Sequence, residues 1–369
     1  MSDLIIVTLE WLVVAIMFAF LILFIVVTAP SQRKNISSLA IPLGRKDEID
    51  FLVGRIKTGQ SSAVIGLFSG EKTEILGFLT NGKLYEEDAK TLIFSNVDIA
   101  LRVNDTATQF WEWAIQPVQD SPDLAQAYEV CSQNQFSDVS LRRLINVLRQ
   151  SGKRLVLLLN NFQEVLRFSQ LKQDEFFATL RSLASSSHPS PLAVVVAINQ
   201  SLMEFHRETE KLNPSGSPYL NFLEGGITLL QGLSEKEVDK LLAEVEPPLS
   251  VQAKQSVKKF AGGSPYLLQV ATSEFLKESS IEEFESNFFR RMELPIERML
   301  QGWSSGRCQA LLTVIQKAKV VGLEKELGEL AAQGFIAEEN DQWQLRAEIF
   351  RKIVESKPQY VWCQQLVKD

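Results

Sequence analysis

The chain has 369 residues, 45% hydrophobic and 22% charged, with a formal net charge of −7. That length exceeds one ordinary core and predicts two or three compact units. The composition is globular rather than disordered, and the mild acidity excludes a bulk positive field for non-specific nucleic-acid binding. Three cysteines without a C-x-x-C exclude a thiolate zinc site, and two histidines, His188 and His206, leave little for a histidine-based centre.

The amino terminus differs from the rest. From Trp11 to Thr28 the run WLVVAIMFAFLILFIVVT carries no charge, and about twenty apolar residues span a bilayer core. Residues 4–29 therefore predict a transmembrane helix. A cleaved leader is disfavoured by Asp3, which stands where a basic region belongs, and by the length of the apolar run. Arg33, Lys34, Arg45 and Lys46 follow the run while only Asp3 and Glu10 precede it, so the positive-inside rule predicts a single-pass anchor with the large domain on the cytoplasmic side. A polar tether, 30–41, comes next.

Beyond it, apolar residues at helical spacing predict a helix over 46–58. The run SAVIG (62–66) predicts a strand, and KTEILGFLT a helix. Strands follow at 91–99, 154–162 and 192–201, alternating with helices at 107–118, 139–151 and 172–184. This alternation implies an α/β fold with a parallel sheet covered on both faces, over 42–232. From Ser234 the pattern is helical. SEKEVDKLLAEV opens with a capping box, and Gly262, Gly263 and Pro265 break the next stretch into two helices, giving a helical lid over 233–292. Residues 293–357 then read as helix, helix, hairpin and helix, the parts of a winged-helix domain, with a tail at 358–369.

Between the first strand and its helix lies GLFSGEKT, residues 66–73. Phosphate-binding loops follow G-x-x-x-x-G-K-[ST]: backbone N–H groups wrap the phosphates, Lys reaches the β/γ oxygens and the hydroxyl holds Mg²⁺. Gly66, Lys72 and Thr73 keep that spacing, but Glu71 replaces the second Gly. Its side chain sets a Cβ and a negative charge beside an anion site. At the end of the run RLVLLLNNF, Asn160 and Asn161 stand where paired acids would hold the metal and activate water. Each feature by itself also fits an ordinary turn or helix start.

The order of these motifs resembles the signal-transduction ATPases with numerous domains, the STAND branch of AAA-like P-loop proteins, and their relatives among archaeal replication-initiator ATPases. PLGRKDEIDFL resembles the family's entry motif, with Gly44 and Arg45 before a helix. GLFSGEKTEIL resembles Walker A, RLVLLLNNFQEVL Walker B, and LAVVVAINQS, with Asn199, the sensor strand. FAGGSPYLLQ resembles the lid motif, whose Pro, here Pro265, lies against the adenine in the family. The resemblance spans about residues 42–355 and implies a nucleotide site formed by Gly44, Arg45, Gly66, Gly70, Glu71, Lys72, Thr73, Asn160, Asn161, Asn199 and Pro265.

Because the departures fall on the chemistry, these residues are read as vestigial. No catalytic residue, metal site or firm cofactor is assigned, with ATP or ADP and Mg²⁺ the only ligands in view. The expectation is a membrane-tethered pseudo-ATPase acting as a scaffold, adaptor or regulatory subunit, in a homo-oligomer or a larger membrane complex. The alternatives are a switch that binds ATP or ADP without turnover and, less favoured, an active ATPase using a displaced acid such as Glu164. Nucleic acid is disfavoured as a partner: the second helix of the winged-helix unit carries Glu324, Glu326 and Glu329 against one Lys325. Arg290 and Arg291 are read as a solvated helix face.

Overall fold

A computed structural model describes residues 42–185, 189–213, 216, 218–277 and 280–357. The expected transmembrane helix, the tether, the tail and His188 lie outside the described residues. Among the described residues no helix is long and apolar enough to cross a membrane.

Helix α1 (Lys46–Lys57) leads into strand β1 (Ser62–Ile65) and helix α2 (Ser69–Leu79). Next come β2 (Leu92–Asp98), α3 (Ala107–Gln119), α4 (Ala125–Gln133), α5 (Asp138–Gln150) and β3 (Arg154–Asn160). The α/β part continues with α6 (Asp174–Ala184), β4 (Leu192–Ile198), α7 (Leu202–Thr209) and β5 (Ile227–Leu229). The five strands pair in parallel in the order β2-β3-β4-β1-β5. The apolar runs are long because both faces of this sheet are covered. Leu155, Leu157 and Leu159 of β3 enter the core shared with α3–α7, whereas Val156 and Leu158 enter the core shared with α1 and α2.

The remainder is helical: α8 (Glu235–Ala243), α9 (Val251–Ala261), α10 (Pro265–Phe275), α11 (Ile281–Gln301), α12 (Ser305–Ile315) and α13 (Glu324–Ala332). A hairpin of β6 (Ile336–Glu339) and β7 (Gln342–Leu345) and a last helix, α14 (Glu348–Ser356), complete it. Ser234 and Glu237 form the expected capping box, and the hairpin turns through Asn340 and Asp341, both at positive φ. The expected break between lid and C-terminal unit at 292/293 does not hold. Helix α11 runs across it with Pro295 inside, and one apolar core takes residues from α8 through α14.

Candidate functional site

The loop after β1, the end of β3 and the turn after β4 meet at the carboxyl end of the sheet, where open α/β sheets bind ligands. The loop itself is short. Helix α2 begins at Ser69, two residues before Glu71, and the Lys72 amide donates to the Phe68 carbonyl at 3.3 Å. That amide is therefore spent inside the helix instead of being directed at an anion.

The side chains close what remains. Arg45 reaches Glu71 from the turn before α1, with Nε and Nη2 donating to Oε1 at 2.8 and 2.6 Å, while Nη1 donates to Glu48 and to the Gln231 carbonyl, both at 2.8 Å. Burial pushes the Glu71 carboxyl above the ordinary carboxylate range, and Arg45 pulls against it. Lys72 is 1% exposed and folds back to donate from Nζ to the Gly66 carbonyl at 2.6 Å. Burial lowers its pKa to about 8, with Glu71 opposing the shift. The cation meant for phosphate is thus held by the loop's own backbone, and the anion that would repel phosphate already has a guanidinium.

A second latch replaces the metal. Asn160, buried at the end of β3, donates from Nδ2 to the Thr73 hydroxyl at 2.7 Å, and that hydroxyl donates to the Ser69 carbonyl at 2.9 Å. Asn161 sits in the left-handed region at φ 52°. Its amide donates to Asp98 Oδ1 at 2.9 Å, and its Oδ1 accepts from the Ser69 hydroxyl. Asp98 is the one carboxylate in this network of amides and hydroxyls, and among the described residues no cluster of acids, histidines or cysteines could hold a metal.

The lid fills the remaining space. Phe68 is buried and belongs to the C-terminal core, its ring centroid 4.9 Å from Tyr266 and 6.1 Å from Phe335. Tyr266 presses on the first turn of α2 so closely that a Cβ at Gly70 would lie 2.6 Å from its hydroxyl. Gln269 of α10 donates to Glu74 of α2 at 2.7 Å. Pro265 is the buried first residue of α10. Gly263, two residues before it, serves the backbone: its amide donates to the Gly334 carbonyl at 2.9 Å, and Leu233 donates to its carbonyl at 2.7 Å. A Cβ on Gly263 would lie 2.5 Å from the Leu233 carbonyl oxygen, and one on Gly334, which has φ +75°, would lie 2.7 Å from the Gly263 carbonyl carbon.

Nine of the sequence-derived residues gather at or beside this loop, and two stand apart. Gly66, Gly70, Glu71, Lys72, Thr73, Asn160, Asn161 and Arg45 form the closed network, and Pro265 opens the helix that covers it. Gly44 lies exposed in the turn before α1, and Asn199 is exposed after β4 and outside the network. Three further residues have defined places. Lys72 is buried in the first turn of α2. Glu164 accepts from Arg167 at 3.0 Å in the turn Phe162–Arg167. Arg290 and Arg291 are exposed on α11, as a solvated helix face requires, and Arg291 also pairs with the buried Glu274 of α10. Phe68, Tyr266, Asp98 and Gly334 escaped the sequence reading. An aromatic inside a phosphate loop, where small residues belong, was the available signal.

A family model for the AAA-like domain matches residues 141–356. The chain belongs to the AAA-like domain family. No curated protein matches the sequence. Among solved structures, the Walker-type ATPase of Pyrococcus abyssi is similar at 16% identity, covering 85% of this chain and 96% of that one, with a TM-score of 0.55. The ORC2 protein of Aeropyrum pernix, solved in ADPNP–ADP complexes, is similar at 12% identity over 85% of this chain and 94% of that one, with a TM-score of 0.52. A STAND protein with a tetratricopeptide repeat sensor from Pyrococcus horikoshii matches at 12% identity over 86% of this chain and 43% of that one, with a TM-score of 0.41. At these identities the likeness to the first two is one of fold. P-loop ATPases of this fold in general take a nucleotide with Mg²⁺, and the residues here do not fit that group: its lysine is folded inward, its metal-holding acid is an amide, and its loop space holds Phe68.

Proposed function

We propose that this AAA-like protein works without nucleotide, as a membrane-tethered pseudo-ATPase that serves as a scaffold, adaptor or regulatory subunit. One observation carries the reading: the Arg45–Glu71 pair, the Lys72–Gly66 contact and the Thr73–Asn160 contact tie up internally the cation, the hydroxyl and the strand-end amide of the loop. Phosphoryl transfer depends on positioning and on charge compensation by the metal, and an amide at position 160 brings no charge to it. The apolar run at 4–29 supports the tether, and the basic residues after it support a cytoplasmic-side domain. Loss of turnover in a retained fold leaves protein contacts as its use, within a homo-oligomer or a larger membrane complex. The helix, helix, hairpin and helix at the C-terminus read as a winged helix turned to such contacts. Its second helix, α13, is acidic, and Glu329 there is already paired with Arg307.

The test is calorimetric titration of Mg-ATP and Mg-ADP into the full chain, beside Glu71→Gly and Lys72→Ala. The reading expects no binding by the native chain and gain of binding in the glycine variant, where Arg45 and Lys72 lose their internal anion. Micromolar binding by the native chain that disappears in Lys72→Ala would replace it with a nucleotide-gated switch biasing the lid between two states.

A further inference from the structure

Apart from the closed loop, a cavity of about 230 Å³ opens between α7 and the segment 218–226, and none of its lining residues belongs to the loop network. Leu202, Met203 and Phe205 form one wall and Tyr219 and Leu220 the other, with Glu224 at the mouth. For scale, a cavity of roughly 150 Å³ admits benzene, so this one suits a bicyclic aromatic body.

The walls are fixed from behind, which lowers the cost of binding. Phe205 stacks on Phe162 at 5.6 Å and meets Phe177 edge-on at 5.9 Å. Tyr219 stacks on Phe177 at 5.0 Å, and its hydroxyl donates to Asp174. Arg181 lies 6.0 Å from the centre of the Tyr219 ring, so that ring already has a cation near it. Two groups are left to meet a polar head: the Glu224 carboxylate, which is exposed and shows no ion pair among the described residues, and His206, whose buried Nδ1 has no hydrogen-bond partner.

We infer that this cavity binds a small hydrophobic amine, with its apolar body between Phe205, Leu202 and Leu220 and its ammonium paired with Glu224. The site is separate from the loop and independent of whether the protein binds nucleotide. A carboxylate of the same shape is rejected by Glu224 through like-charge repulsion, and a neutral analogue loses only the ion pair.

The test uses tryptamine, 3-methylindole and indole-3-propionate as probes, titrated calorimetrically into the full chain, the native protein being compared with Met203→Trp and Glu224→Gln. Both substitutions fall on exposed side chains, so folding is preserved, which a thermal melt checks. Tryptamine is expected to bind at least tenfold tighter than indole-3-propionate. Glu224→Gln should bring tryptamine and 3-methylindole to equal affinity, and Met203→Trp, placing an indole at the mouth, should weaken all three. No binding of tryptamine, equal affinity for the three probes in the native chain, or binding untouched by Met203→Trp would each overturn the assignment.

Discussion

Between β1 and α2 the contacts are made by side chains: a buried ion pair and a buried lysine inside the α/β part, and the Phe68 ring set into the C-terminal core. Inside the C-terminal part, where Gly263 and Gly334 meet beside Leu233, the contact is mainly backbone, through hydrogen bonds of 2.7 and 2.9 Å, with Arg346 adding a side-chain bond to the Leu233 carbonyl at 3.3 Å. The first contact takes charges out of water, so each ion must keep its partner. The second carries no desolvated charge but tolerates no added atom. On the function proposed above, motif letters that suggest nucleotide chemistry serve these two kinds of adhesion, and a lid motif can stay intact beside an altered phosphate loop.

The junction should be the less forgiving of the two. Gly334→Ala adds a Cβ 2.7 Å from backbone at a left-handed φ of +75°. It should destabilise the chain by about 4 kcal/mol or more, since steric overlap and backbone strain act together. Urea denaturation reads the loss, and a change below about 1 kcal/mol would mean the close approach is soft. Phe68→Ala should follow at about 3–4 kcal/mol, the usual cost of emptying a buried aromatic site. This variant keeps the ion pair, so inorganic pyrophosphate should not rescue its melting temperature.

Glu71→Gln should cost about 3 kcal/mol, because it leaves the Arg45 guanidinium buried with a weaker acceptor. Unlike Phe68→Ala, it should regain melting temperature when pyrophosphate is added, as the phosphate replaces the missing anion. Equal indifference of both variants would remove the distinction between a self-liganded loop and a merely packed one. The smallest effect is a dependence on pH. Lys72 has a folded pKa of about 8 against an ordinary 10.5. Between those values the unfolded chain binds a proton that the folded chain does not, so stability should rise as pH rises through that window, by on the order of 2 kcal/mol. In Lys72→Met that slope should vanish, and an unchanged slope would place the titration elsewhere.

Much of the α/β scaffold was legible in the sequence because burial on both faces leaves uninterrupted apolar runs, as in β3 and β4. The three-residue β5 was not, since only Thr228 of Ile227–Leu229 is buried and the strand exists through its pairing with β1. Helices α4 and α7 were also passed over. The break expected at 292/293 failed because α11 runs across it as one continuous helix with Pro295 inside.

Along the loop, the sequence by itself determined which chemical groups are present: a carboxylate for a glycine, two amides for two acids, an aromatic among small residues. It also determined their order along strand, turn and helix, since periodicity and glycine placement are local properties. Only the tertiary structure decided what those groups do. Arg45 stands 26 residues before Glu71, and Asn160 comes 87 after Thr73. Whether a buried charge repels a ligand or substitutes for one depends on which partner the fold brings within hydrogen-bonding distance, and that distance is not written in either residue's neighbourhood.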